Sequence, residues 1–221
     1  GMARLCELGM NQAARRLSQV AKVSAAEVAQ PAARERAQAA GVETPADARA
    51  LAARLEELSR TARRVSVYIG TEFSAATDEA RVRMPLGGDL LDPGISADEA
   101  RDAARPLLCC DAPKVLYNVK ALGDILDNIG ADAFDAMLAA YALNPQRPSF
   151  ALEALCAEAG IPDCAACPAE ALWTLAGWQQ KRLEEDELTA IYRDIERPLA
   201  NVLYGMERSE ERRVGKECRS R

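Results

Sequence analysis

The chain has 221 residues, of which 49% are hydrophobic and 28% charged, and its formal net charge is −6. This composition predicts a globular protein with enough apolar surface for a core, and the acidic balance argues against binding of polyanions by the chain as a whole. Histidine is absent, which excludes triads with a histidine base and zinc sites with histidine ligands. No apolar run approaches the roughly 20 residues of a membrane span, so no membrane partner is predicted.

The seven cysteines occur in a chain that opens without a secretory signal sequence. Thiols in such a protein are predicted to stay reduced. The sequence therefore predicts a cytoplasmic location.

The first part of the chain has helical periodicity to about Ala40. Its apolar face contains Leu5, Leu8, Ala13 and Leu17. Gly41 then marks a boundary, and Thr44 as N-cap with Pro45 at the first helical position predicts a second helix that runs to about Arg60.

The period then changes from helical to two. Residues 64–69 and 79–86 both alternate between apolar and polar side chains, and they are predicted to be two strands of an antiparallel pair. Ser96 and Glu99 have the spacing of a capping box, which predicts a helix to about Leu108.

A third predicted strand, residues 114–117, leads into Asn118. Asn118 is a candidate N-cap for a helix that ends at Gly130. The predicted apolar face of that helix consists of Val119, Leu122, Leu126 and Ile129.

Three helical stretches follow. They are predicted over 134–143, from Ser149 to Gly160, and from Pro168 onward with a break before Pro198. The pattern as a whole predicts an α/β unit of about 140 residues between helical extensions.

Three strings in this order resemble segments of bacterial DNA polymerase I, a family A DNA polymerase. They are Asn118-Val119-Lys120, the stretch FDAMLAAYALNP at 134–145, and IERPLANVLYGME at 195–207. The second resembles the helix after the second exonuclease motif, and the third resembles the start of the polymerase domain. Residues 5–11 are similar to the segment that joins the 5′-nuclease domain to the exonuclease-like domain, so the resemblance spans about residues 3–207.

The resemblance implies a ribonuclease H-like fold of the DnaQ exonuclease type, with a mixed sheet flanked by helices. It also implies a domain organisation: residues 1–43 are a helical linker from a missing 5′-nuclease domain, 44–185 a 3′–5′ exonuclease-like domain, and 186–207 the start of a truncated polymerase domain.

The last fourteen residues, 208–221, contain six basic and three acidic side chains and little apolar content. Such a composition is typical of a solvated tail. The string RSEERRVGKECRSR, however, resembles the translation of a common sequencing adaptor, and we therefore interpret it as an artefactual tail.

Exonucleases of this family hold two divalent metal ions with four carboxylates, which favours Mg²⁺ or Mn²⁺. The family pattern begins with Asp-x-Glu, and its best match here is Gly70-Thr71-Glu72. The second motif, Asn-x-Lys-x-Asp, matches Asn118 and Lys120, but its metal-binding position is Leu122.

The third motif, Tyr-x-x-x-Asp, places Glu170 near the acid position and Ala166 at the tyrosine position. At most two of the four carboxylates therefore remain. The resemblance implies a catalytically inactive domain with vestigial positions at Gly70, Glu72, Asn118, Lys120, Leu122 and Glu170. No metal or other cofactor is expected for the fragment, whereas Mg²⁺ is expected for the parent polymerase.

Other candidate sites have ordinary explanations. Cys164-x-x-Cys167 lacks a second knuckle or histidines for zinc and lacks a preceding strand for redox chemistry, so we interpret both as plain thiols. Asp135 is predicted to have a structural hydrogen-bonding role. The aromatic side chains that could stack on bases are predicted to pack at a domain junction instead: they are Trp173, Trp178 and Tyr192.

The sequence thus predicts an inactive exonuclease-like module of a DNA polymerase that acts in replication and repair, with DNA and the polymerase domain as partners through the parent enzyme. One alternative is a working metal-dependent 3′–5′ proofreading exonuclease whose acids are misaligned here. Another is an unrelated helical interaction protein, which a mixed sheet covered by helices would exclude.

Overall fold

A computed structural model describes residues 41–87, 94–130, 132–162 and 164–219, with side chains described as far as residue 210. The predicted first helix, residues 5–40, lies outside the described residues. Five strands form one sheet: β1 (Val65–Ile69), β2 (Glu72–Thr77), β3 (Arg81–Pro85), β4 (Lys114–Leu116) and β5 (Phe134–Asp135).

Seven α-helices are present in the described part of the chain: α1 (Ala48–Ser59), α2 (Ala97–Leu108), α3 (Ala136–Leu143), α4 (Leu152–Glu158), α5 (Pro168–Glu185), α6 (Thr189–Ile191) and α7 (Arg197–Arg219). A 3₁₀-helical segment covers Val119–Asn128, and a π-helical segment, Tyr192–Glu196, joins α6 to α7. None of the described helices has the length and apolar character needed to cross a membrane.

The strand order is β3-β2-β1-β4-β5. The hairpins β1–β2 and β2–β3 are antiparallel, whereas β1–β4 and β4–β5 are parallel. The fold is therefore α/β with a mixed sheet, which confirms that part of the prediction and excludes the purely helical alternative.

Helices cover both faces of the sheet. Helices α1 and α2 pack with Val65 and Val67 of β1 on one face, and α3 and α5 pack with Tyr68 and Val115 on the other. The carboxyl ends of β1 and β4 meet at one edge because these two strands are parallel.

The prediction that residues 64–69 and 79–86 pair with each other was wrong. The segment 81–85 does not pair with β1, because β2 lies between them and pairs with both. The β2 sequence EFSAAT is almost wholly buried and its last four side chains are small, so it does not show the polar and apolar alternation by which a half-buried strand is recognised.

Two helix starts differ from the predictions. Helix α1 begins at Ala48, and its N-cap is Asp47, whose carboxylate accepts from the backbone of Ala50 at 2.7 Å; Thr44 was therefore the wrong N-cap. Helix α4 begins after Ala151 rather than at Ser149, whose hydroxyl accepts from the Ala151 N–H at 3.2 Å. The capping box of α2 at Ser96 was predicted correctly.

Asn118 does not cap a helix. It has a left-handed backbone (φ 55°) and no capping side-chain hydrogen bond. The segment after it is 3₁₀-helical, and Gly123 interrupts it with φ 64°. The predicted apolar face is nevertheless buried, because it faces α2 and α7.

The predicted helix over 134–143 starts two residues later, because Phe134 and Asp135 pair with β4 as strand β5. The predicted break before Pro198 falls earlier: α5 ends at Glu185 and the chain becomes helical again at Thr189. Pro198 lies in the first turn of α7, where a missing N–H costs little, and it is preceded by the wider π-helical turn.

Candidate functional site

A cleft of about 180 Å³ lies at the carboxyl ends of β4 and β5. Its walls are the segment after β4, the start of α3, and the beginning of α7. The residues that contribute to it include Asn118, Lys120, Asp135, Glu196, Leu199 and Leu203. Two of the sequence-predicted site residues, Asn118 and Lys120, therefore lie in one cleft with an acidic side chain.

Asp135 organises this cleft from below. Its side chain is fully buried, and its carboxylate accepts from the backbone N–H groups of Asn118 (3.1 Å) and Val119 (2.8 Å) on one side. On the other side it accepts from Met137 (2.8 Å) and Leu138 (3.3 Å), and so caps α3. The predicted structural role of Asp135 is confirmed.

Burial raises the pKa of Asp135, while the four backbone N–H groups oppose this shift. The backbone N–H of Asp135 itself donates to the hydroxyl of Tyr192 at 2.7 Å. Burial in the same place raises the pKa of Tyr192. A carboxyl group held by four fixed donors is a structural anchor rather than a mobile acid.

Lys120 and α7 close the cleft from the solvent side. The ammonium group of Lys120 lies 2.6 Å from a carboxylate oxygen of Glu207. Deeper in, the buried guanidinium of Arg197 donates to the carbonyl of Ala133 at 3.2 Å and to the side chain of Asn201 at 3.0 Å. Helix α7, which contains most of the polymerase-like string at 195–207, therefore packs on the segment that contains Asn118 and Lys120.

Leu122 occupies the position where the family pattern places a metal-binding aspartate. It is only 3% exposed and belongs to the apolar cluster that also contains Val119, Leu126 and Ala200. A carboxylate at this position would need a partner or a metal ion to compensate its burial. The prediction that Leu122 is a core residue is confirmed.

Gly70 directly follows β1, and Glu72 is the first residue of β2, so both lie at the end of the sheet where β1 finishes. The side chain of Glu72 is 13% exposed and pairs with the guanidinium of Arg83 on β3, with the Arg83 Nε at 2.6 Å. A side chain at Gly70 would collide with the Tyr68 hydroxyl. Neither position therefore offers a carboxylate that is available to a metal ion.

Glu170 lies at the other end of β1. Its carboxylate pairs with Arg81 at 3.1 Å and Arg64 at 3.8 Å, and Arg64 comes directly before the first residue of β1. Asn118 follows β4, which is parallel to β1. The structure therefore separates Glu170 from the cleft and does not bring it together with Glu72 or Asp135.

The residues at the family positions do not fit a pair of divalent cations. Hard cations require several converging carboxylate or carbonyl oxygens, but Glu72 and Glu170 are each paired with arginine and Leu122 is apolar. Within the described ranges, no group of three or more Cys, Asp or Glu side chains has a metal-binding arrangement.

The aromatic side chains that could stack on bases pack against the protein, and their predicted place at a domain junction stays a prediction. Tyr192 is buried, and Trp173 and Trp178 are partly buried against the cluster on the α3 and α5 face. Arg64 lies over the Trp173 ring at 5.3 Å. The indole groups are thus occupied by protein contacts.

The sequence analysis did not identify an exposed apolar surface on the last part of the chain. The helical stretch 191–206 exposes a line of large apolar side chains: Ile191, Ile195, Leu199, Val202, Leu203 and Met206. We refer to these six residues as the apolar stripe. Their spacing of three or four residues was visible in the sequence and is the signal that could have identified it.

No protein-family model and no curated protein matches this sequence.

Proposed function

We propose that this chain is a fragment of a DNA-directed DNA polymerase I that acts in cytoplasmic DNA replication and repair. In this proposal the described domain has a ribonuclease H-like fold and is an inactive 3′–5′ exonuclease-like module. It contributes structure, and the parent enzyme supplies the nucleotidyltransferase activity, the contact with DNA and the Mg²⁺ site.

The observation that carries the proposal is the environment of Leu122. Asn118 and Lys120 stand at the edge of the cleft in the spacing of an exonuclease motif, but the next position of that motif is buried in an apolar cluster. Leu122 packs as an ordinary member of that cluster. A site in which the acid position is part of the core is no longer organised around metal ions.

The strand order supports the same interpretation. The resemblance implies a mixed sheet flanked by helices, and the sheet of the described residues has antiparallel and parallel pairs with helices on both faces. Asn118 and Lys120 follow β4, at the carboxyl end of a parallel strand, which is where sheets with parallel strands commonly place ligands.

The apolar stripe supports a structural role. It lies on the helical stretch that contains the polymerase-like string at 195–207, and its members are 40–59% exposed. Large apolar side chains aligned along one helix face favour burial against another surface. In the proposal that surface is the polymerase domain, which would follow Glu207 in the parent protein.

A nuclease assay tests the inactivity. The purified full chain is incubated with 5′-labelled single-stranded DNA in Mg²⁺ or Mn²⁺, beside a proofreading exonuclease as positive control. We expect no release of nucleotides. Metal-dependent shortening of the DNA that co-purifies with the chain would contradict the proposed inactivity and favour a working exonuclease.

The genomic reading frame tests the family. We expect the codons after Glu207 to encode a polymerase domain and not RSEERRVGKECRSR. An unrelated sequence after Glu207, or a stop codon there, would contradict the assignment to a polymerase while leaving the nuclease result unaffected.

A further inference from the structure

The apolar stripe lies on the outer face of one continuous helical stretch. Helix α6, the π-helical segment and α7 follow one another without a break from residue 189 onward. The inner face of this stretch is held on the protein, because Arg197 and Ala200 are buried and α7 packs on the 3₁₀-helical segment 119–128. The stripe residues, by contrast, are 40–59% exposed. They form an apolar surface that is fixed in place and open to a partner.

The positions of the stripe residues are self-complementary. Ile191 and Met206 stand at the two ends of the stripe, and Ile195 and Val202 each lie four residues inside the nearer end. Both pairs are therefore centred on the same point, next to Leu199. When a second copy of the stripe lies across the first in the antiparallel direction, the first residue of each pair faces the second residue of that pair. A symmetric dimer requires a surface that matches itself in this way.

The charged side chains beside the stripe also favour an antiparallel copy. Arg193 lies near its amino end and Glu207 near its carboxyl end, and both are exposed. Within one chain each has an opposite charge close by, since Arg193 pairs with Asp194 and Glu207 with Lys120. Antiparallel packing brings the guanidinium of one copy toward the carboxylate of the other, whereas parallel packing brings like charges together.

We propose that the apolar stripe is a homodimer interface on which a second copy of this chain packs in the antiparallel direction. Leu199 lies nearest to the twofold axis of this dimer. The spacing of three or four residues along the stripe allows the side chains of two helices to interdigitate, and their removal from water drives the association. The inference does not depend on the proposed function, although in a longer parent enzyme the polymerase domain would compete for the same surface.

Sedimentation equilibrium of the full chain tests the dimer. The measurement is made over a wide range of protein concentration and with a reductant present, so that no disulfide joins two molecules. We expect the measured mass to rise with concentration from 23.8 kDa to twice that value. A mass that stays at 23.8 kDa up to the highest concentration would overturn the proposal.

Substitutions in the stripe test the orientation of the two copies. Val202→Glu should raise the dimer dissociation constant about tenfold or more, because it places a charge against an apolar side chain at two symmetric positions. Ile195→Lys should have the same effect. The double variant I195K/V202E should recover much of the affinity, since each lysine then faces a glutamate of the other copy. A parallel dimer would instead oppose like charges, so a double variant weaker than both single variants would overturn the antiparallel arrangement.

Tyr141→Glu is the matched control. Tyr141 is 46% exposed and lies on α3, outside the stripe, so this change should leave the dissociation constant unaltered. Circular dichroism checks that each variant is folded, and the double variant, in which the two added charges cancel, keeps the test decisive if a single variant does not fold. A dimer that persists in V202E, or that is weakened equally by Y141E, would overturn the proposal. The chains would then associate through another region, such as residues 1–40 or 208–221.

Discussion

The carboxylate of Asp135 accepts a hydrogen bond of 2.8 Å from the backbone N–H of Val119. Val119 stands between Asn118 and Lys120, so a buried acid on β5 fixes the backbone of the motif that follows β4. The same carboxylate caps α3. The geometry of the cleft therefore depends on one side chain that lies beneath it.

Replacement of Asp135 by alanine should destabilise the fold by about 3 kcal/mol or more, because it leaves four backbone N–H groups without their acceptor in a buried place. The free energy of unfolding in urea measures this. Asp132→Ala makes the same change at an exposed position three residues away and should cost less than about 0.5 kcal/mol. Equal effects of the two substitutions would contradict the anchoring role.

The stability should also depend on pH through Asp135. Burial raises the pKa of this group above its ordinary value of 3.8, so the folded state retains a proton that the unfolded state has released. The stabilisation is complete below about pH 3.8 and is lost as the pH rises through the raised pKa. Urea unfolding of the unsubstituted chain and of D135N is measured between pH 3 and 8. As the pH rises, the free energy of unfolding of the unsubstituted chain should fall relative to that of D135N. A relative stability that rises over this range would show that the four N–H donors outweigh burial.

Leu122→Asp, which introduces the acid of the exonuclease pattern, should destabilise the chain by about 3–5 kcal/mol, because it buries a carboxylate among apolar side chains without a partner. We expect this variant to have no nuclease activity. Ile195→Asp makes the same type of change at a residue that is 56% exposed and should cost less than about 1 kcal/mol. Gain of metal-dependent DNA cleavage in L122D would show that the other acids converge after all.

Glu72 should act as an ion-pair partner of Arg83. Glu72→Ala leaves a buried guanidinium without this carboxylate and should cost about 3 kcal/mol. The double variant E72M/R83M should recover most of that loss, because neither charge then remains buried. Glu184→Ala, on an exposed part of α5, is the control and should be nearly neutral. A double variant less stable than E72A would contradict this account.

The sequence by itself determined much of the fold class and part of the site. The capping box at Ser96 predicted the helix over 96–108, and the apolar run at 114–117 predicted a strand. Both predictions rest on local signals, between residues that are close in the chain. The apolar periodicity of Val119, Leu122, Leu126 and Ile129 predicted burial correctly, since a stripe of this kind has few stable alternatives. The structural role of Asp135 was also predicted from its position.

Only the tertiary structure decided the rest. Strand β2 has no polar and apolar alternation, because it is buried on both faces by elements distant in sequence. Asn118 resembled a helix cap, but the donors around it are directed to Asp135, seventeen residues away. Glu170 and Glu72 lie at opposite ends of β1, each held by an arginine from another strand or turn. Whether side chains from different strands meet at one site depends on strand direction and pairing. A local sequence pattern does not specify either of these.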